Sequence, residues 1–249
     1  MTTEAVAAAP MPLFYNRVVP LDLRLHADLK LDRSTPYRFA AQTNAVPISM
    51  VEFSQVAAHY PIVFAGPEAL PLAVVGLRDG QNLFVDERGR WRPGHYVPAY
   101  VRTYPFIFLQ DGPMGALYLG IEPEAPLLSA RAGELLFTRG KPSKLLKTTI
   151  EVCTAYRDDL IKTREFCRAL SRARLLEERS AKLDFVRGGA AQIDGFHGIS
   201  AAAFAALRDV TFLEWRHKGW LEAIYAHLLS QDRWVSLMDV ASEKTNAQV

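Results

Sequence analysis

The sequence predicts an α+β protein, with a β-rich N-terminal half packed against a helical C-terminal half. Three observations carry that prediction. Between residues 60 and 121 lie five short apolar runs, rich in β-branched and aromatic residues and bounded by Gly, Pro or Asp. From Ser143 to Leu170 the apolar residues instead recur at spacings of three and four. At 249 residues, 49% hydrophobic and 22% charged, the chain has the composition of an ordinary globular protein rather than a disordered one. The organisation expected is a flexible arm over 1–13, one domain over 14–242 and a flexible tail over 243–249. Within the domain, 14–126 reads as β-rich and 127–242 as mainly helical.

In chain order, Tyr60-Pro-Ile-Val-Phe64 opens the strands and Gly66-Pro67 closes the first. Leu70 to Leu77 reads as the next. Asn82 to Val85 reads as a short strand bracketed by turns at Asp79-Gly80 and Arg88-Gly89. Tyr104-Pro-Phe-Ile-Phe108 and Met114 to Ile121 continue the pattern. Such continuous apolar runs suit strands buried on both faces. The Tyr60 and Tyr104 runs lie 44 residues apart, and a turn and a second apolar run follow each. The recurrence fits a duplicated β unit and chance coincidence equally well. In both cases Pro61 and Pro105 belong at strand starts, where a missing amide costs least.

In the second half, Leu146, Thr149, Cys153, Tyr156, Leu160, Thr163, Cys167 and Leu170 form a stripe that Ile150, Ile161 and Phe166 widen. Pro142 suits the first turn of that helix. A helix of about 28 residues spans roughly 42 Å and would be the longest element. Leu183 to Phe185 and Ala191 to Ile193 read as either a hairpin across Gly188-Gly189 or a loop. Ser200 is the expected N-cap of the alanine-rich helix that follows. Gly219 ends the next helix, behind a basic last turn of Arg216, His217 and Lys218. Leu221, Ile224, Tyr225, Leu228 and Leu229 mark the face of a further helix, and Trp234, Leu237 and Met238 a short last one.

Charge excludes one class of partner. With 29 Lys+Arg against 27 Asp+Glu, no basic field for nucleic acid is present. No run approaches the ~18 apolar residues of a membrane-spanning helix. The N-terminal stretch has no Lys or Arg before Arg17 and is broken by Pro10 and Pro12, which does not suit a secretory signal. A cytoplasmic location without membrane insertion is the expectation.

Little conventional chemistry is visible. Cys153 and Cys167, 14 residues apart on one helix, would be separated by about 21 Å, too far for a disulfide. They read as buried spacers. Among six histidines there is no HxH or HExxH pair. The single Glu214-x-x-His217 is one half of a di-iron pattern that needs two. Phosphate loops and a GxSxG elbow are absent from the sequence. No metal or cofactor is predicted.

The segment Asp86 to Phe108 stands out. Arg90-Trp91-Arg92, His95-Tyr96, Tyr100, Arg102 and Tyr104 are interleaved there with Gly89, Pro93, Gly94 and Pro98. Arg offers planar recognition of a carboxylate or phosphate, and Trp and Tyr offer amphipathic faces. Arg78, Trp91, His95, Tyr96, Arg102 and Tyr104 are therefore the candidate ligand-binding residues. The structural alternative is that the aromatics fold a Pro-rich loop onto the sheet while Arg102 pairs with Asp86 or Glu87.

This segment also carries a family resemblance. Tyr60 to Phe64, Gly76 to Asp86, Gly89-Arg-Trp91, Tyr96 to Arg102 with Tyr104-Pro-Phe106, and Gly219-Trp-Leu-Glu-Ala-Ile-Tyr-Ala-His-Leu-Leu-Ser230 are similar to motifs of the bacterial SapC family. The resemblance runs from about Phe14 to Val240. It implies an association with surface-layer systems by family name, an accessory role in some relatives, and no catalytic residues to carry over. Three functional classes follow. The first is a non-catalytic binding or accessory protein that recognises a small carboxylate or peptide ligand, or a protein partner, either as a monomer or as a homo-oligomer. The second is an enzyme acting on a small amino-acid or peptide substrate. The third is a surface-layer structural protein.

Overall fold

A computed structural model describes residues 11–110, 115–184 and 190–247. The arm over 1–10, Met114, Phe185 and the Gly188-Gly189 turn lie outside the described residues. The first elements are β1 (Val19–Pro20), α1 (Leu23–His26), β2 (Lys30–Leu31), β3 (Ala45–Pro47), α2 (Phe53–Ala57), β4 (Ile62–Ala65) and β5 (Leu70–Val74). Next come α3 (Ala99–Thr103), β6 (Phe106–Gln110), β7 (Leu117–Ile121), β8 (Leu128–Ser129), β9 (Glu134–Leu135), β10 (Phe137–Thr138) and β11 (Lys141–Pro142). The chain continues with α4 (Lys144–Arg172), β12 (Leu176–Asp184), β13 (Ala190–Ile199), α5 (Ala201–Ala205), α6 (Asp209–His217), α7 (Trp220–Ser230) and α8 (Arg233–Ala247). The architecture is α+β, as the sequence predicts. It divides into two compact units, one of residues 1–34 with 104–153 and one of residues 35–103 with 154–249.

In the first unit β1, β7 and β6 form an antiparallel sheet, while β2 pairs with both β8 and β9. Glu122, almost fully buried, ties the incoming chain to the end of β7. Its carboxylate accepts the Asn16 and Arg17 amides at 2.7 and 2.9 Å and the Glu124 amide at 3.1 Å. Three backbone donors are what a buried carboxylate needs in place of water.

The second unit is built on a five-stranded sheet of order β12-β13-β4-β5-β3, antiparallel throughout. Its core is a run of touching rings. Phe53 meets Phe64 and Phe166, Phe166 meets Trp220, and Trp220 meets Trp215, at centroid separations of 5.6–6.2 Å. Each such side chain removed from water contributes about 1.5–3 kcal/mol. Strands β4 and β13 pair at only His197 and Phe64, so the polar groups of Ile62 need other partners. The end of α7 supplies them. Ser230 Oγ accepts the Ile62 amide at 3.0 Å, and the Gln231 side chain donates to the Ile62 carbonyl at 3.0 Å.

Both recurrent segments have the same local form. A five-residue helix (α2 or α3) precedes a Tyr-Pro pair, and an antiparallel hairpin follows (β4–β5 or β6–β7). Pro61 and Pro105 stand immediately ahead of their strands, as expected. Residues Ile62 to Phe64 are buried, whereas Ile107 to Leu109 of β6 are only half-buried.

The long helix is present, with two corrections. Pro142 is not in its first turn but pairs with Phe137 in the β10–β11 hairpin. Ser143 is the cap, accepting the Leu146 amide through its hydroxyl at 3.2 Å. Ile161 is 61% exposed and does not widen the buried stripe. Cys153, Tyr156, Thr163, Phe166, Cys167 and Leu170 are buried on it.

Other readings also change. Asn82 to Val85 is a turn with one bridge, Val85 to Trp91, because Asn82 folds back to accept the Phe84 amide at 2.8 Å. The hairpin reading of 183–193 understates that element. Strands β12 and β13 run nine and ten residues and place sheet structure in the mainly helical half. On α7 the buried face is Trp220, Ala223, Ile224, Ala226, His227 and Ser230, while Tyr225 and Leu229 are exposed. The tail is not loose at Glu243, since α8 continues to Ala247 and Lys244 donates to the carbonyls of Asn82 and Val85 at 3.1 and 2.9 Å. Ser200 caps α5 through the Ala203 amide, and Gly219 sits between α6 and α7 at φ +71°. No helix is long and apolar enough to cross a membrane, among the described residues.

Candidate functional site

The candidate segment is held from below by a residue outside it. Ser49 and Glu52 form a reciprocal capping box at the one-turn helix that leads into α2. One carboxylate oxygen of Glu52 accepts the Ser49 amide at 2.9 Å and the Ser49 hydroxyl at 2.8 Å. The other accepts the Tyr96 hydroxyl at 3.0 Å and the Ala99 amide at 2.6 Å. The Ala99 bond caps α3, where a negative charge also suits the helix dipole. Four donors converge on one buried carboxylate, so the 96–99 segment is fixed to the start of α2 by charge-assisted bonds.

A second chain of hydrogen bonds runs beside it. Trp91 Nε1 donates to the Tyr60 hydroxyl at 2.9 Å, and that hydroxyl donates to the Tyr96 carbonyl at 2.7 Å. Tyr60 is fully buried and Trp91 is 6% exposed, packed edge-on between Tyr60 and Tyr37. Gly89 makes the preceding turn. It has φ +71°, and a Cβ there would come within 2.9 Å of Arg38 Cβ. Asp86 closes the same turn by accepting the Arg88 and Arg90 amides and the Arg90 guanidinium, all within 2.9 Å.

On this frame stands Arg102, which is exposed. Its Nη2 donates to the Tyr96 hydroxyl at 3.1 Å, and its guanidinium carbon lies 5.6 Å from the Tyr96 ring centroid. It forms no ion pair with Asp86 or Glu87, and Asp86 is held by Arg90 instead. His95 stacks near Phe84 at 5.0 Å and His59 at 5.2 Å. Burial, then the His95 and Arg233 charges, hold the His59 pKa below its ordinary value.

The candidates thus separate. Trp91, His95 and Tyr96 lie on one loop and Arg102 on α3 just after it; Trp91, Tyr96 and Arg102 enter the hydrogen-bond frame, while His95 packs against it with its ring 6.4 Å from that of Tyr60. Arg78 is exposed in its turn and takes no part in that frame. Tyr104 belongs to the other compact unit, buried against Tyr15 at 5.3 Å and Phe14 at 6.1 Å. Glu52 escaped the sequence reading although its Ser49-x-x-Glu52 spacing is a capping signature.

The acid–base character of the site is restrained. Burial, with the Glu52 charge added, pushes Tyr96 up to about 12, and burial also raises Tyr60. Both thiols of α4 are pushed up to about 12 by burial. Glu214 faces Lys218 at 3.3 Å. No group of three or more His, Cys, Asp or Glu side chains is gathered as a metal site among the described residues.

The sequence model of the SapC family matches residues 21–237, which includes every residue of this frame. The chain belongs to the SapC family. No curated protein and no solved structure matches it significantly. Within this SapC-family chain, the quoted motifs Tyr60 to Phe64, Gly89 to Trp91 and Tyr96 to Arg102 are the segments that hydrogen-bond to one another around Tyr60 and Tyr96.

Proposed function

We propose that this SapC-family chain is a non-catalytic binding or accessory protein, and that Arg102 anchors a carboxylate-bearing small molecule or peptide. One observation carries the reading. The Arg102 guanidinium is exposed yet held in place by Tyr96, whose hydroxyl is itself fixed by the buried Glu52. A cation pre-positioned in this way loses little freedom on binding, and most of its N–H donors remain free for a planar anion. His95 and the Tyr96 ring provide half-buried flanking surfaces. The carboxylate of Glu52 is saturated by four donors and the phenols stay protonated, which favours recognition over proton transfer.

The test is a titration followed by backbone amide NMR, using a short peptide with a free C-terminal carboxylate and its C-terminal amide. The carboxylate form should shift His95, Tyr96 and Arg102, and Arg102→Ala should abolish the effect. Equal shifts from the amide, or unchanged binding by Arg102→Ala, would refute the proposal.

A second reading draws on the His59–His95 pair. Two imidazoles 5.2 Å apart, with the pKa of His59 lowered by burial, suit an enzyme acting on a small amino-acid or peptide substrate. Turnover of such substrates that His59→Gln eliminates would favour it over the binding reading.

A further inference from the structure

On the second unit, away from the Arg102 loop in sequence, α4 and the β4–β5 turn border a groove of about 620 Å³. Arg164, Arg168 and Arg172 line it from successive turns of the helix, with Ser171 beside them and Pro67 and Glu68 opposite. We infer that this groove binds a phosphorylated small molecule through the three arginines.

The charge pattern has no sufficient structural explanation. Like charges four residues apart on a helix repel, and this series contains two such steps. Arg172 in the last turn suits the helix dipole, but Arg168 and Arg164 stand one and two turns further back, beyond its reach. Glu68 is the one carboxylate lining the groove among the described residues, and it meets Arg164 at 3.5 Å and Arg168 at 3.9 Å, both long and half-exposed contacts. Glu165 of the same helix is committed to Lys218 at 3.0 Å. Among the described residues lining the groove, three guanidiniums therefore meet one loosely held carboxylate, with Arg172 Nε also donating to the Arg168 carbonyl at 3.2 Å.

The chemistry selects the ligand class. Guanidiniums on successive turns, about 6 Å apart by rise, can close on one compact polyanion, and their forked donors match phosphoryl oxygens. The groove lies within the roughly 300–1,000 Å³ of small-molecule sites and exceeds what a bare phosphate fills. Glu68 and the lone pairs of Ser171, whose hydroxyl donates to the Cys167 carbonyl at 3.0 Å, are acceptors for ligand hydroxyl groups. A phosphate ester with hydroxyls fits that mixture, whereas a dicarboxylate uses only the arginines.

Calorimetric titration of the full chain at low ionic strength tests this, with inorganic pyrophosphate as the probe and glutarate as the comparison. Pyrophosphate should bind saturably at one site and more tightly than glutarate. The double variant R164Q/R168Q should weaken it at least about tenfold, the loss expected when charge-assisted bonds go. Glu68→Gln removes the competing carboxylate and should tighten binding. The inference falls if pyrophosphate shows no saturable binding, if glutarate binds as tightly, or if the double variant, shown to be folded by circular dichroism, binds unchanged. It also falls if Glu68→Gln weakens binding.

Discussion

Glu52 accepts a hydrogen bond from the Tyr96 hydroxyl at 3.0 Å, across 44 residues of sequence. That contact joins a helix cap, which needs an anion for its own backbone, to the loop that presents Arg102. One buried carboxylate thus serves a folding requirement and a surface at once. The arrangement makes the loop's geometry depend on a residue that no ligand would touch.

Glu52→Gln should therefore be costly despite its similar shape. An amide keeps one acceptor oxygen and turns an NH2 group towards two of the present donors. A loss of roughly 2–4 kcal/mol is expected, because hydrogen bonds to a buried charge are being removed. Urea unfolding monitored by tryptophan fluorescence measures it, and an unchanged midpoint would show that the carboxylate is not the anchor.

Stability should also depend on pH through His227. This ring is fully buried, accepts the Ile199 amide on Nε2 at 2.9 Å and lies 5.2 Å from Phe64. Burial, reinforced by the Arg179 charge, lowers its pKa from 6.5 to about 4. The folded state thus resists a proton that the unfolded chain accepts. The stabilisation is complete above the unfolded value of 6.5 and is lost as pH falls towards 4, amounting to about 3 kcal/mol. Unfolding free energies across that window, compared with His227→Asn, should show a steeper acid loss for the native chain.

Cys153 and Cys167 are 3% and 0% exposed, and burial raises both thiols to about 12. Native protein should leave both unlabelled by an aromatic disulfide reagent until denaturant is added. Rapid labelling of either would contradict the packing of α4.

Gly89→Ala should destabilise the turn by about 1–3 kcal/mol, since φ +71° and the approach to Arg38 both oppose a Cβ. Thermal melting checks this, and a neutral result would mean that the turn relaxes freely.

How much was legible follows from what each residue depends on. The α4 stripe was readable because Cys153, Tyr156, Phe166 and Cys167 obey a local period that the helix itself imposes. Pro61 and Pro105 were readable because a missing amide acts at its own position. The β12–β13 hairpin was underestimated because Leu176 to Asp184 is largely polar; β12 lies at the sheet edge, where pairing with β13 rather than burial makes it a strand. The end of α8 escaped because the Lys244 partners, Asn82 and Val85, lie about 160 residues earlier. At the site, the Ser49–Glu52 cap was visible in spacing, but its partnership with Tyr96 and Ala99 was not. Arg102 was singled out from its neighbours, while its seat on Tyr96 required the fold.

The central claim is that Arg102 is presented by the fold and is not part of what holds it together. Equilibrium urea unfolding of Arg102→Ala tests this without any ligand. The expected change is no more than about 0.5 kcal/mol, as for an exposed side chain. A loss of roughly 3–5 kcal/mol, the cost of breaking a buried charge partnership, would contradict the account and return Arg102 to the structural frame.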